Sequence, residues 1–163
     1  MSVKETEIYA ACVSSYNSGK LVGGWVSLED QTLESLQEEI LELIEGEEWS
    51  IDDYKTCVEW KVGQYSSLAD LLETYEMLCR KEDELGEEGF QAALEQVGLE
   101  DIESVESASL WDDSMNMLED LGFLEGIPES AMRYIDFDGW ARDICLSSGS
   151  LMEHNGGYLL LSE

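Results

Sequence analysis

The sequence predicts an α+β fold laid out as three small modules in series: α+β over residues 1–61, all-helical over 62–107, and α+β again over 108–163. Three observations lead there. Short aromatic and apolar segments separated by turn residues stand at both ends of the chain, and apolar stripes at three- and four-residue spacing fill the rest. No internal repeat is visible, and the single Pro in 163 residues leaves no proline-rich linker. Two to three small units in series or one compact domain would fit this length, and the change of texture along the chain selects three.

Residues 7–13 (EIYAACV) and 21–27 (LVGGWVS), with the turn-forming SSYNSGK between them, read as a hairpin. Leu33, Leu36, Ile40, Leu43 and Ile44 then form one face of an amphipathic helix that ends near Gly46. After the turn-like GEEWSIDDY, residues Thr56 to Val62 are expected to return as a third strand. Ser67, as an N-cap with Asp70 three residues on, opens a second helix along Leu68, Leu71, Leu72, Tyr75 and Leu78. KEDELGEEG breaks that pattern. Phe90, Ala93, Leu94 and Val97 resume it and Gly98 closes it. From Ser109 a further helical stripe runs through Trp111, Met115, Leu118 and Leu121 to Gly122. Pro128 opens a short helix through Ile135, and Asp136 caps another in DFDGWARDI. Leu151-Met152, the turn Asn155-Gly156-Gly157 and the run Tyr158 to Leu161 predict a terminal hairpin.

Charge dominates the composition. With 38 Asp and Glu against 8 Lys and Arg, the formal net charge is -30, yet 44% of residues are hydrophobic, including 5 Trp and 7 Tyr. That is enough apolar material for a core, so the charge belongs on a folded surface. Solubility asks for a net charge of only about 2 to 8, and the excess destabilises by self-repulsion. Duplex DNA carries one charge per roughly 1.7 Å, so this charge matches about 50 Å of duplex. A decoy for a basic nucleic-acid-binding groove accounts for the excess best; a low-affinity cation buffer and adaptation to high salt are the competing readings. Direct binding to DNA, RNA or anionic lipid is disfavoured by repulsion, so partners should be basic. The start MSVKETEIYAACVSS lacks the features of a secretory signal and no apolar run reaches the ~20 residues of a bilayer span, so a cytoplasmic protein is expected. Cys12, Cys57, Cys79 and Cys145 form no C-x-x-C pair and read as reduced thiols within apolar patterns.

Placement of the acids is more informative than their number. Glu34, Glu38 and Glu42 are successive i, i+4 neighbours, and Glu38, Glu39, Glu42 and Glu45 run toward the helix C-terminus with no Lys or Arg to offset them. Like charges at that spacing, and anions at a helix C-terminus, each destabilise by a few tenths of a kcal/mol. Such neighbours lie about 6 Å apart along the axis, too sparse to imitate a duplex alone. The candidate acidic surface therefore also takes in Glu47, Glu48, Asp52 and Asp53, then Asp70, Glu73, Glu76, Glu87, Glu88 and Glu95, and finally Asp112, Asp113, Glu119 and Asp120. Asp52-Asp53 and Asp112-Asp113 could attract hard cations, but no segment fits an EF-hand loop, the closest being Asp136-Phe137-Asp138-Gly139. His154 is the only histidine and reads as a turn residue, leaving zinc sites and His-dependent triads without their usual residues. With so many acids, carboxylate pairs arise by chance. No catalytic residue, metal site or cofactor is expected.

Two stretches resemble a known family. Tyr16-Asn17-Ser18-Gly19-Lys20-Leu21-Val22-Gly23-Gly24-Trp25, followed by Leu28-Glu29-Asp30, is similar to the amino-terminal Y-N-x-G-x-x-x-G-x-W signature of ArdA-type antirestriction proteins. Leu118 to Ser130 (LEDLGFLEGIPES), which includes Gly122 and Pro128, resembles that family's carboxy-terminal block, together with Tyr134-Ile135-Asp136-Phe137 and Ala141-Arg142-Asp143. The resemblance implies a non-enzymatic, elongated, three-module protein of bacterial cytoplasm, carried on mobile elements, that imitates bent DNA. Its implied partners are type I restriction-modification enzymes, through their DNA-specificity and modification subunits, and a second copy of itself. The apolar residues Leu121, Phe123, Leu124, Ile127 and Tyr134 are the candidate dimer contacts. Arg133 and Arg142 sit among Asp residues, where a salt bridge organising the third module is the favoured reading. An acidic adaptor for another basic DNA-binding protein is the alternative, and competition with DNA for a purified restriction-modification enzyme separates the two.

Overall fold

The computed structural model describes residues 1–44 and 48–163, with Tyr16 by its backbone alone. The fold is α+β, with seven α-helices and two three-stranded sheets among the described residues. Contacts divide it into two compact units, Met1–Asp83 and Glu84–Glu163. No described helix is long and apolar enough to cross a membrane.

In the first unit, β1 (Glu7–Cys12), β2 (Gly23–Ser27) and β3 (Trp49–Lys55) form an antiparallel sheet in the order β2-β1-β3. The first two strands pair as the hairpin reading expects, with Tyr9 opposite Trp25 and Ala11 opposite Gly23. Their connection, expected to turn at SSYNSGK, contains a helical turn, α1 (Val13–Asn17). The third strand is displaced from its expected place: it occupies 49–55, and residues 56–62 lie outside the sheet. The cause is a β-bulge. Tyr9 pairs with Asp53 and Ala10 with Ile51, so Asp52 is the extra residue. Asp52 and Asp53 are then exposed side by side, which erases the alternation that marks a strand. Val58 and Trp60 are buried without strand pairing, and their apolar spacing produced the misplaced reading.

Helix α2 (Leu33–Leu43) has Thr32 as its N-cap, whose hydroxyl accepts from Ser35 N at 3.1 Å while Ser35 Oγ accepts from Thr32 N at 2.9 Å. Leu36 and Ile40 are fully buried, each worth about 1.5–3 kcal/mol in area removed from water. A Cβ at Gly24 would come within 3.2 Å of Leu43, so the glycine lets α2 lie close to β2. Helix α3 (Leu68–Leu85) opens at Ser67, as expected, but runs straight through KEDEL, where the sequence predicts a break. Those charges have partners: buried Glu82 accepts from Ser2 Oγ and from Val3 N at 3.0 Å, and Asp83 pairs with Lys4 at 3.1 Å. Tyr75 Oη donates to the Lys4 carbonyl at 3.2 Å. The amino-terminal segment is thus fastened along α3.

The second unit begins with the last residues of α3 and continues into α4 (Glu87–Val97), closed by Gly98 at φ +80° as the sequence implied. β4 (Ser107–Trp111), β5 (Leu151–His154) and β6 (Gly157–Ser162) form an antiparallel sheet ordered β4-β6-β5. β4 occupies the start of the segment that the sequence predicts as helix from Ser109; α5 starts only at Ser114 and ends at Asp120. Trp111 does pack on the same core as α5, but from a strand, while Met115 points outward and Met117 and Leu118 point in. Helices α6 (Glu129–Met132) and α7 (Phe137–Ser147) follow Pro128 and Asp136 as expected, although α6 ends at Met132 rather than running through Ile135. The β5–β6 hairpin turns at Asn155 and Gly156, both at positive φ, and His154 is the last residue of β5. Tyr158 and Leu160 of the central strand join the cluster of Met117, Leu118, Ala141 and Leu151, whereas Leu159 and Leu161 alternate to the other face, where Ala108, the cross-strand partner of Leu161, lies 3.4 Å from the Cβ position of Gly89 on α4. Side chains on both faces of β6 are buried, so its apolar run is continuous.

Candidate functional site

The described acids are surface groups almost without exception. Glu82 is buried, Glu7 and Glu39 are half-buried, and all the others are exposed. On α2, Leu36 and Ile40 turn inward and carry Glu34, Glu38 and Glu42 outward, on a helix that contains no cation. Glu39 accepts a hydrogen bond from Gln31 Nε2, and Glu48 is exposed just before β3. Glu45 and Glu47 lie outside the described residues. At the bulge, Asp52 accepts from Ser50 Oγ at 2.7 Å and Asp53 from Tyr54 N at 2.8 Å. Asp70, Glu73 and Glu76 step along the exposed side of α3.

In the second unit, Glu87 and Glu88 occupy the first turn of α4, where the helix dipole favours anions, and Glu95 lies in its last turn, 3.5 Å from His154 Nε2. Asp112 and Glu119 are exposed. Asp113 caps α5, accepting from Asn116 N at 2.8 Å, and Asp120 accepts from Trp111 Nε1 at 2.8 Å. Some candidate acids therefore serve the fold, while Glu34, Glu38, Glu42, Glu73, Glu76, Glu88 and Glu119 are exposed and serve no visible structural contact. Exposed acids outside the candidate set, among them Glu59, Glu100 and Glu129, have the same character. Sequence reasoning missed the opposite case, Glu82, because three consecutive acids, Glu82-Asp83-Glu84, give no sign of which carboxylate turns inward.

The motif residues occupy turns and close contacts. Asn17 is exposed at the end of α1, and Gly19 adopts φ +79°. A Cβ at Gly23 would lie 2.2 Å from the Ala10 carbonyl oxygen, so only glycine lets β2 approach β1 there. Trp25 stacks edge-on against Tyr9 at 5.3 Å between centroids, with Lys55 Nζ 4.1 Å from its ring. Gly122, at φ +82°, follows the end of α5, Pro128 caps α6, and Asp136 caps α7 by accepting from Gly139 N at 3.0 Å. Ile135 is half-buried, Ala141 is fully buried and Asp143 is exposed. Arg142 Nε approaches Glu153 at 3.5 Å between α7 and β5, and the guanidinium of Arg133 stands 4.9 Å from the Tyr134 ring. Both partners of the Arg142 pair are largely exposed, which limits it to about 0–1 kcal/mol. Of the apolar contact candidates, Leu124 is buried and Leu121 and Ile127 pack on the same core, while Phe123, edge-on to Trp140, and Tyr134 remain exposed.

Such a surface does one thing well: it projects a strong negative potential with little local neutralisation. Fold and surface together define a small, strongly anionic α+β protein. The chain belongs to the ArdA antirestriction family, described as antirestriction protein (ArdA), which it matches over residues 8–159. No curated protein sequence matches it.

Proposed function

We propose that this chain is a DNA mimic that occupies the DNA-binding groove of type I restriction-modification enzymes and blocks restriction of incoming DNA in the bacterial cytoplasm. It acts without a catalytic step. Carboxylates stand in for phosphates, displace the anions held by a basic groove, and exclude DNA from the specificity and modification subunits. The observation that carries this reading is the row Glu34, Glu38, Glu42, exposed on a helix without cations at a cost to that helix. The elongated arrangement of modules 1–61, 62–107 and 108–163 and dimerisation through the carboxy-terminal module belong to the same proposal, with Phe123 and Tyr134 as the exposed candidates for the contact.

The decisive experiment is competition. A labelled duplex bearing the recognition site is bound to a purified type I modification complex, and this protein is added in increasing amounts. Stoichiometric displacement of the duplex is expected. A ternary complex that retains both duplex and protein would overturn the mimic and favour an adaptor.

A further inference from the structure

The first unit contains an open cleft of about 650 Å3 whose lining is not merely acidic. Asn17 from α1, Asp52 from the β3 bulge, and Gln64 and Tyr65 from the following loop line it, with Ile51 and Val62 supplying apolar surface. Among the described residues no Lys or Arg lines it. From these residues we infer that the cleft is a receptor for an arginine side chain of the partner, a fixed recognition point within the otherwise diffuse anionic surface; the inference rests on the DNA-mimic reading above.

Asp52 differs from the acids of α2. The bulge turns it out of the strand alternation, and the hydroxyl of Ser50, itself 4% exposed, donates to its Oδ1 at 2.7 Å. That bond orients the carboxylate and leaves acceptor positions open. Gln64 is held beside it, because the Gln64 carbonyl accepts from Ile51 N at 2.9 Å. A guanidinium has a planar fork of five donors, an extended apolar stem and a flat face. The cleft offers each a counterpart: the Asp52 carboxylate with the amide oxygens of Asn17 and Gln64 for the fork, Ile51 and Val62 for the stem, and the Tyr65 ring for the face. An ammonium presents three donors and no plane, so it would use the carboxylate and little else. A phosphate-binding groove is where arginines are expected on a partner, since bidentate phosphate recognition favours them.

The test uses the full chain and a defined probe. Isotope-labelled protein is titrated with N-acetyl-arginine-N-methylamide and, separately, with the lysine analogue, while amide shifts are followed by NMR. Saturable shifts at Asn17, Asp52, Gln64 and Tyr65 are expected for the arginine probe, with binding of the lysine probe about fivefold weaker, the scale of one net hydrogen bond. Asp52→Asn should abolish the localised shifts, and Tyr65→Leu, at a residue 75% exposed, should weaken them without disturbing the rest of the spectrum. Glu38→Gln should leave them intact. Equal, scattered shifts with both probes would overturn the arginine site while leaving electrostatic mimicry standing. Failure to displace DNA from a modification complex, with localised arginine binding intact, would instead overturn the mimic and not the site.

Discussion

Replacing Glu38 and Glu42 together by Gln should make the protein more stable and a poorer inhibitor. Glu34, Glu38 and Glu42 lie on the exposed side of α2, whose last turn holds no basic residue. The double substitution removes two i, i+4 repulsions, Glu34 with Glu38 and Glu38 with Glu42, each worth about 0.2–0.5 kcal/mol. It also removes an anion from the helix C-terminus, worth about 0.3–1 kcal/mol at low salt. Gln and Glu have nearly the same helix propensity, so that contribution cancels. The sum is a gain of about 1 kcal/mol at low ionic strength, or a rise of about 2–4 °C in Tm for a chain of this length. Differential scanning calorimetry at low salt, paired with the DNA-competition assay, checks both halves. Unchanged or reduced stability would refute the claim that these acids strain their helix. Increased stability with undiminished inhibition would show that this face of α2 does not meet the target.

Outside the Asp52 cleft, single neutralisations are expected to have little effect on inhibition, because each exposed carboxylate contributes little and is screened beyond about 8–10 Å in ordinary salt; one such substitution that abolishes activity in a folded protein would replace the distributed surface with a single hot spot. Salt should act with opposite signs on fold and function. Screening of self-repulsion should raise the unfolding midpoint as NaCl increases, while affinity for the target falls, though less steeply than that of DNA with its slope of about -0.9 per phosphate; salt-independent affinity would exclude electrostatics as the main driving force. Gly23→Ala should destabilise the first unit by about 1–3 kcal/mol in urea titrations, since the added Cβ would meet the Ala10 carbonyl at 2.2 Å, and wild-type stability would mean that the β1–β2 pair is looser than described. Burial raises the pKa of the Tyr75 phenol, and that of Tyr158 likewise, so above the ordinary phenol pKa of about 10 the unfolded chain loses protons that the folded chain keeps; stability should fall as pH rises through that range, and less steeply in Tyr75→Phe. Small-angle scattering is expected to show an elongated homodimer, and Phe123→Asp with Tyr134→Asp should shift it toward monomer; a compact monomer at micromolar concentration in the unmodified protein would remove dimerisation from the proposal.

Much of the fold was legible because local chemistry announced it. Ser67, Asp136 and Gly98 mark helix ends by capping chemistry that needs no tertiary context, and Asn155-Gly156 fixes the last hairpin by requiring positive φ. The misplacements share a different origin. β3 was hidden because a bulge breaks alternation, and β4 because SASLW carries one small inward residue, Ala108, and a Trp whose spacing to Leu118 also suits a helix. The extension of α3 through KEDEL depends on Ser2, Val3 and Lys4, some eighty residues away, which no local pattern can anticipate. For the surface, the sequence revealed the sign and abundance of charge but not its division of labour. Asp113 could be told from its neighbours by its three-residue spacing to Asn116; Asp120, which meets Trp111 nine residues away, could not.

That division of labour explains how a fold carries so much charge. Where a carboxylate is tied into the structure, as with Glu82 on the amino-terminal segment or Asp136 at the start of α7, it accepts hydrogen bonds from groups that would otherwise lack a partner. Where it is not, its penalty is local and small compared with the apolar contacts on the opposite side of the same element. Leu36 and Ile40 together contribute about 3–6 kcal/mol of burial, against about 0.4–1 kcal/mol of repulsion from Glu34, Glu38 and Glu42 across the helix. The core therefore sets the backbone, and the exposed face is free to be chosen for what it meets. It follows that neutralising the untethered acids should erode inhibition long before it disturbs folding, whereas removing Glu82 should do the reverse, weakening the attachment of residues 1–6 to α3 while leaving the anionic face of α2 intact.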